Sequence, residues 1–207
     1  MRFALVTVAA AAFLTVPATA AMIQPVSVVA SDTFWTYDVN NLINGSGLTG
    51  DLHDTVWSNM WMSSWDNVPH NLTFDLGQVV SLAGTYVWQY AADFNFPWYE
   101  TDRGVRDLGI STSVDGVTFT LVTEAVLERQ ILTADNRYEP FAAQFVAFTG
   151  DARFVRFDLN SNYGSVWTGL SEVRFAAAVP EAATWMMLIA GFGMVGATMR
   201  RRRTAVA

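Results

Sequence analysis

The chain has 207 residues, 52 % of them hydrophobic and 15 % charged, and a formal net charge of −7. It contains no cysteine and no lysine, so disulfides, thiol catalysis and cysteine-rich metal sites are excluded. The acidic balance repels a phosphate backbone and an anionic lipid surface, which excludes nucleic acid as a partner of the folded part.

Read from the start, Met1-Arg2, the apolar segment Phe3 to Val16 and the small residues Ala18-Thr19-Ala20 form a secretory signal peptide over 1–20. A mature domain over 22–178 follows. It holds seven of the 12 basic residues and 18 of the 19 acidic ones, a net charge of −11. Its signals are those of strands. Leu72 to Leu76 alternates apolar and polar and stops at Gly77, and Thr85 to Tyr90 is aromatic and β-branched. Gly109 to Val122 reads as a hairpin whose arms meet at Asp115-Gly116. Ala143 to Thr149 is a short apolar run. Val155, Phe157 and Leu159 then alternate with Arg156 and Asp158, and Leu170 to Phe175 closes the domain. Only Glu124 to Thr133 hints at a helix. Many short strands joined by turns predict an antiparallel all-β sandwich.

The last segment, 179–207, does not belong to that domain. It reads Pro180-Glu181, then Trp185, an uncharged glycine-studded apolar run and the block Arg200-Arg201-Arg202-Arg203. The run predicts a membrane helix over about 183–199, and the arginines would keep its end on the cytoplasmic side. The arrangement resembles the PEP-CTERM sorting signal, although Ala182 stands where that family carries a second proline. The resemblance implies a Gram-negative bacterium and cleavage by an exosortase-type membrane protease. The inner-membrane precursor would then yield a protein of the cell surface or extracellular matrix. The competing reading is a plain C-terminal anchor.

Five pieces in order carry a second resemblance. They are Asn41-Leu42-Ile43-Asn44-Gly45-Ser46-Gly47-Leu48, Leu72-Thr73-Phe74-Asp75-Leu76-Gly77, Ser113-Val114-Asp115-Gly116-Val117-Thr118-Phe119, Ala152-Arg153-Phe154-Val155-Arg156-Phe157 and Gly169-Leu170-Ser171-Glu172-Val173-Arg174-Phe175. Together they resemble the discoidin, or coagulation-factor type C, domain from about Val28 to Phe175. That resemblance implies an eight-stranded antiparallel jelly roll, a fold shared with bacterial carbohydrate-binding modules. It also implies a structural calcium ion at one end of the sandwich. Asn44, Asp54 and Glu172 are then its ligands, with Asn44 where relatives carry an aspartate. The alternative is that Asn44-Gly45 is a turn and Glu172 pairs with an arginine such as Arg153.

Catalysis finds few parts. The histidines are His53 and His70, no His-Glu-x-x-His spacing exists, and no Gly-x-Ser-x-Gly elbow is present. Carboxylates suffice for a glycosidase, but a small sandwich offers no deep cleft. The expectation is a non-enzyme. Its platform for a glycan is the excursion from Phe94 to Arg106, with Trp98, Tyr99 and Arg103, joined by Asn162, Tyr163 and Trp167 from a second loop. His53 and Trp57 come from a third loop. Trp57, Trp61, Trp65 and Trp88 read better as core or sandwich-end plugs. The function expected is an exported carbohydrate-binding module for extracellular polysaccharide. A structural matrix protein without a ligand site and a carbohydrate-active enzyme fragment are the alternatives.

Overall fold

The computed structural model describes residues 21–65, 69–94, 99–133, 135–136 and 139–178, together with Ile189, Phe192 and Gly193. The strands in chain order begin with β1 (Met22–Ile23), β2 (Ser27–Ala30), β3 (Leu48–Thr49), β4 (Leu52–His53), β5 (Trp61–Met62) and β6 (His70–Gln89). They continue with β7 (Ala92–Asp93), β8 (Tyr99–Glu100), β9 (Asp107–Ser113), β10 (Thr120–Val126), β11 (Phe141–Ala142), β12 (Gln144–Leu159) and β13 (Gly169–Ala177). Two short 3-10 turns, Val39–Leu42 and Trp57–Asn59, complete the inventory. The compact unit they build spans Ala20–Ala178.

Two segments that the sequence presents as separate short strands are single long ones. β6 begins with His70, Leu72, Phe74 and Leu76 buried, while Asn71, Thr73 and Asp75 face outward. Its first half pairs with β2 on one side and with the second half of β12 on the other. Its second half pairs with β13 and with the first half of β12. Both long strands therefore pass from one layer to the next. The first layer runs β2-β6-β12-β9-β10 and the second runs β1-β13-β6-β12, with β5 added to β13. The bend in β6 is made at Gly77 and Gly84, at φ +81° and +152°. A Cβ at Gly84 would lie 2.5 Å from the Val146 carbonyl oxygen, so a larger residue would force the two long strands apart.

The core fills the space between the layers. Phe74 and Phe157 come from the first layer and Phe175 from the second, and all three are fully buried. Their ring centroids lie 5.1, 5.6 and 6.1 Å apart in edge-to-face arrangements, the geometry that aromatic quadrupoles favour. Burial of each ring contributes roughly 1.5–3 kcal/mol. The result is the discoidin-like jelly-roll sandwich that the sequence predicts.

Two expectations change. Glu124 to Thr133 is not helical: Glu124, Ala125 and Val126 pair with Gly109, Leu108 and Asp107 as the end of β10, and the described residues beyond are irregular. Hydrogen bonding to β9 claims those residues before a helical turn can form. The hairpin at Asp115-Gly116 is real but not tight, since β9 ends at Ser113 and β10 starts at Thr120. Asp115 organises the longer connection by accepting the backbone N–H groups of Val117 and Thr118 at 2.9 and 2.8 Å. Met60, Trp61 and Met62 are buried, as is Trp88. The signal peptide and nearly all of the C-terminal segment lie outside the described residues. Ile189, Phe192 and Gly193 are helical, and among the described residues no helix is long and apolar enough to cross a membrane.

Candidate functional site

Loops from five parts of the chain converge at the end of the sandwich where β6 begins. Phe34, Trp35 and Tyr37 follow β2, Trp57 sits on the second 3-10 turn, and Trp65 follows β5. Phe94 follows β7, and Trp167 lies between β12 and β13. The rings of all but Trp35 form a chain of contacts. Trp65 meets Trp167 at 5.7 Å, Trp167 meets Phe34 at 6.2 Å, and Phe34 meets Tyr37 at 6.1 Å. Tyr37 then meets Trp57 at 5.3 Å, and Trp57 stacks on Phe94 at 6.3 Å with planes 17° apart. No single segment could build this arc, because its members are up to 133 positions apart in sequence.

Arg103 closes the arc from inside. Its guanidinium carbon lies 4.6 Å from the Trp167 ring centroid and 5.8 Å from those of Tyr90 and Phe94. Nη1 donates to the Tyr90 hydroxyl at 3.3 Å and approaches the Met62 sulfur at 3.2 Å, and the same nitrogen is ion-paired with Glu100. Burial raises the Glu100 carboxyl above its usual range, with Arg103 offsetting part of that cost. Burial likewise raises the Tyr90 phenol well above its ordinary value. Two backbone bonds hold the loop in place, from Gly169 N–H to the Arg103 carbonyl at 2.8 Å and from Tyr163 N–H to the Asp102 carbonyl at 3.0 Å.

The outer surface of this assembly is aromatic. Trp35 is 89 % exposed, Trp65 73 % and Trp57 37 %. Trp35 also has φ +43° and, among the described residues, is the one non-glycine residue in the left-handed region. That conformation costs an L-residue on the order of 1–2 kcal/mol, so strained backbone here presents an exposed indole. Flat apolar rings beside carboxylates (Glu100 and Asp102 are part-buried at the rim) can stack on the C–H face of a pyranose and accept its hydroxyl protons.

The residues expected from the sequence take other places. Trp98 lies outside the described residues, and Tyr99 is placed as a strand residue of β8 with its side chain undescribed. Arg103 is at the site but buried as its scaffold, not offered to solvent as a hydrogen-bonding group. Asn162 is a brace. Its Nδ2 lies 2.9–3.0 Å from the Ser165 and Trp167 carbonyls and the Thr168 hydroxyl, and its Oδ1 accepts the Gly164 and Ser165 N–H groups. It therefore fixes the loop that carries Trp167. The Tyr163 hydroxyl donates to the Leu127 carbonyl. His53 is fully buried against Phe141, with Nδ1 donating to the Asp54 carbonyl at 2.8 Å, and burial lowers its basicity. It faces inward because β4 turns its ring under β11, and no ligand in solvent can reach it. Trp65, read as a plug, is instead the most exposed indole of the arc. Its setting, Ser63-Ser64-Trp65-Asp66-Asn67, carried that signal, since a core tryptophan is out of place among four polar neighbours. Trp35 carries no such signal, since it stands between Phe34 and Tyr37, which are themselves part-buried and buried.

The residues implied as calcium ligands have their oxygens engaged elsewhere. Asn44 Oδ1 accepts the Ser46 N–H at 2.7 Å as part of a turn. The two Asp54 oxygens accept from the Val56 N–H and the Asn59 amide at 3.1 and 2.8 Å. Glu172 pairs with Arg174 at 2.6 Å, while Arg153 pairs with Asp75 at 3.0 Å. Among the described residues no three histidine, aspartate or glutamate side chains gather as a metal cage. Calcium takes six to eight oxygens, and this set does not offer them.

Residues 178–203 match the family model of the PEP-CTERM protein-sorting motif. The motif implies export, a membrane-anchored precursor and processing by an exosortase. No curated protein matches the chain by sequence. Solved structures similar to it include CBM32-3 from a family 31 glycoside hydrolase of Clostridium perfringens, at TM-score 0.53 and 18 % identity over 76 % of this chain and 91 % of that one. The CBM32 of AlyQ, in complex with 4,5-unsaturated mannuronic acid, has TM-score 0.52 and 20 % identity over 75 % and 97 %. The family 32 module of C. perfringens NanJ, in complex with galactose, has TM-score 0.53 and 16 % identity over 75 % and 93 %. At these identities the likeness is one of fold.

Proposed function

We propose that the chain is an exported, non-catalytic carbohydrate-binding module that takes its glycan on the aromatic loop end. The observation that carries this reading is the exposed pair Trp57 and Trp65 of the ring chain that Arg103 and Trp167 support, with Trp35 exposed next to Phe34 in the sequence. Three exposed indoles on these loops are costly without an occupant. They favour a binding role over that of a passive spacer. The similar structures include modules named with galactose and with an unsaturated mannuronic acid, so the fold supports neutral and acidic sugars. The domain's charge of −11 disfavours an anionic polymer here, which leaves neutral polysaccharide as the substrate class. Both histidines are engaged, His53 inside the fold and His70 through Nδ1 on Asp32 at 2.8 Å, which supports a binding role over hydrolysis. After processing of the tail, the module would hold polysaccharide at the cell surface or in the surrounding matrix.

The test is a panel of neutral and uronate polysaccharides measured by affinity electrophoresis with the wild-type protein and Trp65→Ala. Retardation by a neutral polymer that the variant loses supports the reading. No retardation by any polymer, or retardation unchanged in Trp65→Ala, overturns it.

A further inference from the structure

The disagreement at the implied calcium site has a positive content. Val173 and Phe175 of β13 face the core, so Glu172 and Arg174 share the opposite face, beneath the loop that follows the first 3-10 turn. Glu172 is fully buried there, and the Arg174 side chain is only 11 % exposed. The carboxylate is shared between two partners. One oxygen faces the Arg174 guanidinium at 2.6 Å, and the other accepts the Gly45 N–H at 3.1 Å. Gly45 has φ +78°, and a Cβ there would lie 3.3 Å from Arg174 Nη2, so the loop passes directly over the guanidinium. The Arg174 carbonyl is itself anchored by the Thr85 hydroxyl at 2.9 Å. A carboxylate on the last strand, a loop backbone and a cation between them thus form one closed unit, with the cation supplied by the chain.

We propose that Arg174 is a built-in cation that ties the 44–54 loop to the last strand, so that the domain is locked without a metal ion. The guanidinium suits the task. It is charged at every physiological pH, and its planar fork offers several donors from one group. A divalent ion would have to displace it from Glu172 and then find further oxygens that Asn44 and Asp54 have already spent on their own turns. The proposal is independent of the glycan reading, which concerns loops at a different set of residues.

The test is a set of melting curves on the purified protein in excess chelator and in millimolar calcium. The melting temperature of the wild type is expected to be the same in both, and Arg174→Ala is expected to melt several degrees lower. A wild-type melting temperature several degrees higher in calcium overturns the proposal, because a ligand bound only by the native state stabilises it by mass action. An Arg174→Ala protein as stable as the wild type overturns it as well. Should Arg174→Ala fail to fold, Arg174→Lys keeps a charge but loses the fork, and a lowered melting temperature is expected of it. Terbium luminescence on the wild-type protein decides without any variant: sensitised emission competed away by calcium overturns the proposal, and its absence supports it.

Discussion

The guanidinium carbon of Arg103 lies 4.6 Å from the centre of the Trp167 indole, and Trp65 leans on that same indole from 5.7 Å while itself largely exposed. A buried charge thus supports a half-buried ring, which supports an exposed one. Removing the charge should be felt first in the fold. Arg103→Ala leaves the Glu100 carboxylate without its partner and opens space among Tyr90, Phe94 and Trp167. A loss of stability on the order of 2–4 kcal/mol is expected, together with loss of glycan binding. Chemical denaturation alongside binding measurements checks this. An Arg103→Ala protein of native stability that merely binds sugar less well would place the guanidinium in the ligand site instead.

The exposed indoles should behave in the opposite way. Trp65→Ala is expected to weaken glycan binding by roughly 1–3 kcal/mol and to leave stability within about 0.5 kcal/mol of wild type. Trp35 adds a sharper signature because of its left-handed backbone. Trp35→Asn places a residue that tolerates φ +43° and should raise stability by about 0.5–1 kcal/mol while costing affinity. Opposite signs for stability and affinity at one position are hard to obtain from a residue that only packs. If Trp35→Asn destabilises the fold, the strain argument is wrong.

What the sequence made legible was local. The period-2 runs Leu72-Phe74-Leu76 and Val155-Phe157-Leu159 point one way within a few residues, and the structure puts all six inside. Asp115-Gly116 marks a turn because its chemistry is contained in its own neighbours. The site was legible only in part, because it is made between segments. Arg103 lies between Asp102 and Gly104 and looks solvated. Burial comes to it from Tyr90, Phe94 and Trp167, none of which is its neighbour in the chain. The partner of Glu172 could have been read. Residues two apart on a strand share a face, which selects Arg174 over Arg153, and Arg153 instead crosses to Asp75 on the adjacent β6.

The sorting motif over 178–203 yields a prediction on the tail. Intact-mass measurement of the protein recovered outside the inner membrane should show a chain ending close to Pro180-Glu181, without Arg200 to Arg203. A recovered protein whose mass always includes the arginine block would make the segment a permanent anchor. The comparison has particular weight here because Ala182 departs from the usual proline.

Glu172 predicts how stability depends on pH. Its side chain has no exposed surface, and desolvation pushes the carboxyl up from its ordinary 4.5 to about 7, the Arg174 guanidinium and the Gly45 N–H offsetting only part of that push. In the unfolded chain the same carboxyl ionises near 4.5. The folded state therefore holds its proton more tightly, and this group's contribution is fully present below 4.5 and lost as pH rises through about 7. A raised carboxyl of this size corresponds to roughly 3 kcal/mol between the two limits, since each unit is worth about 1.4 kcal/mol. Urea denaturation at about pH 5 and about pH 8.5 should show wild-type stability falling across that window. Glu172→Gln keeps the shape and removes the titration, so its stability should be close to that of the wild type at about pH 5, where the folded state holds Glu172 protonated, and should stay flatter across the same window. A Glu172→Gln protein with the wild-type slope would assign the pH dependence to another group.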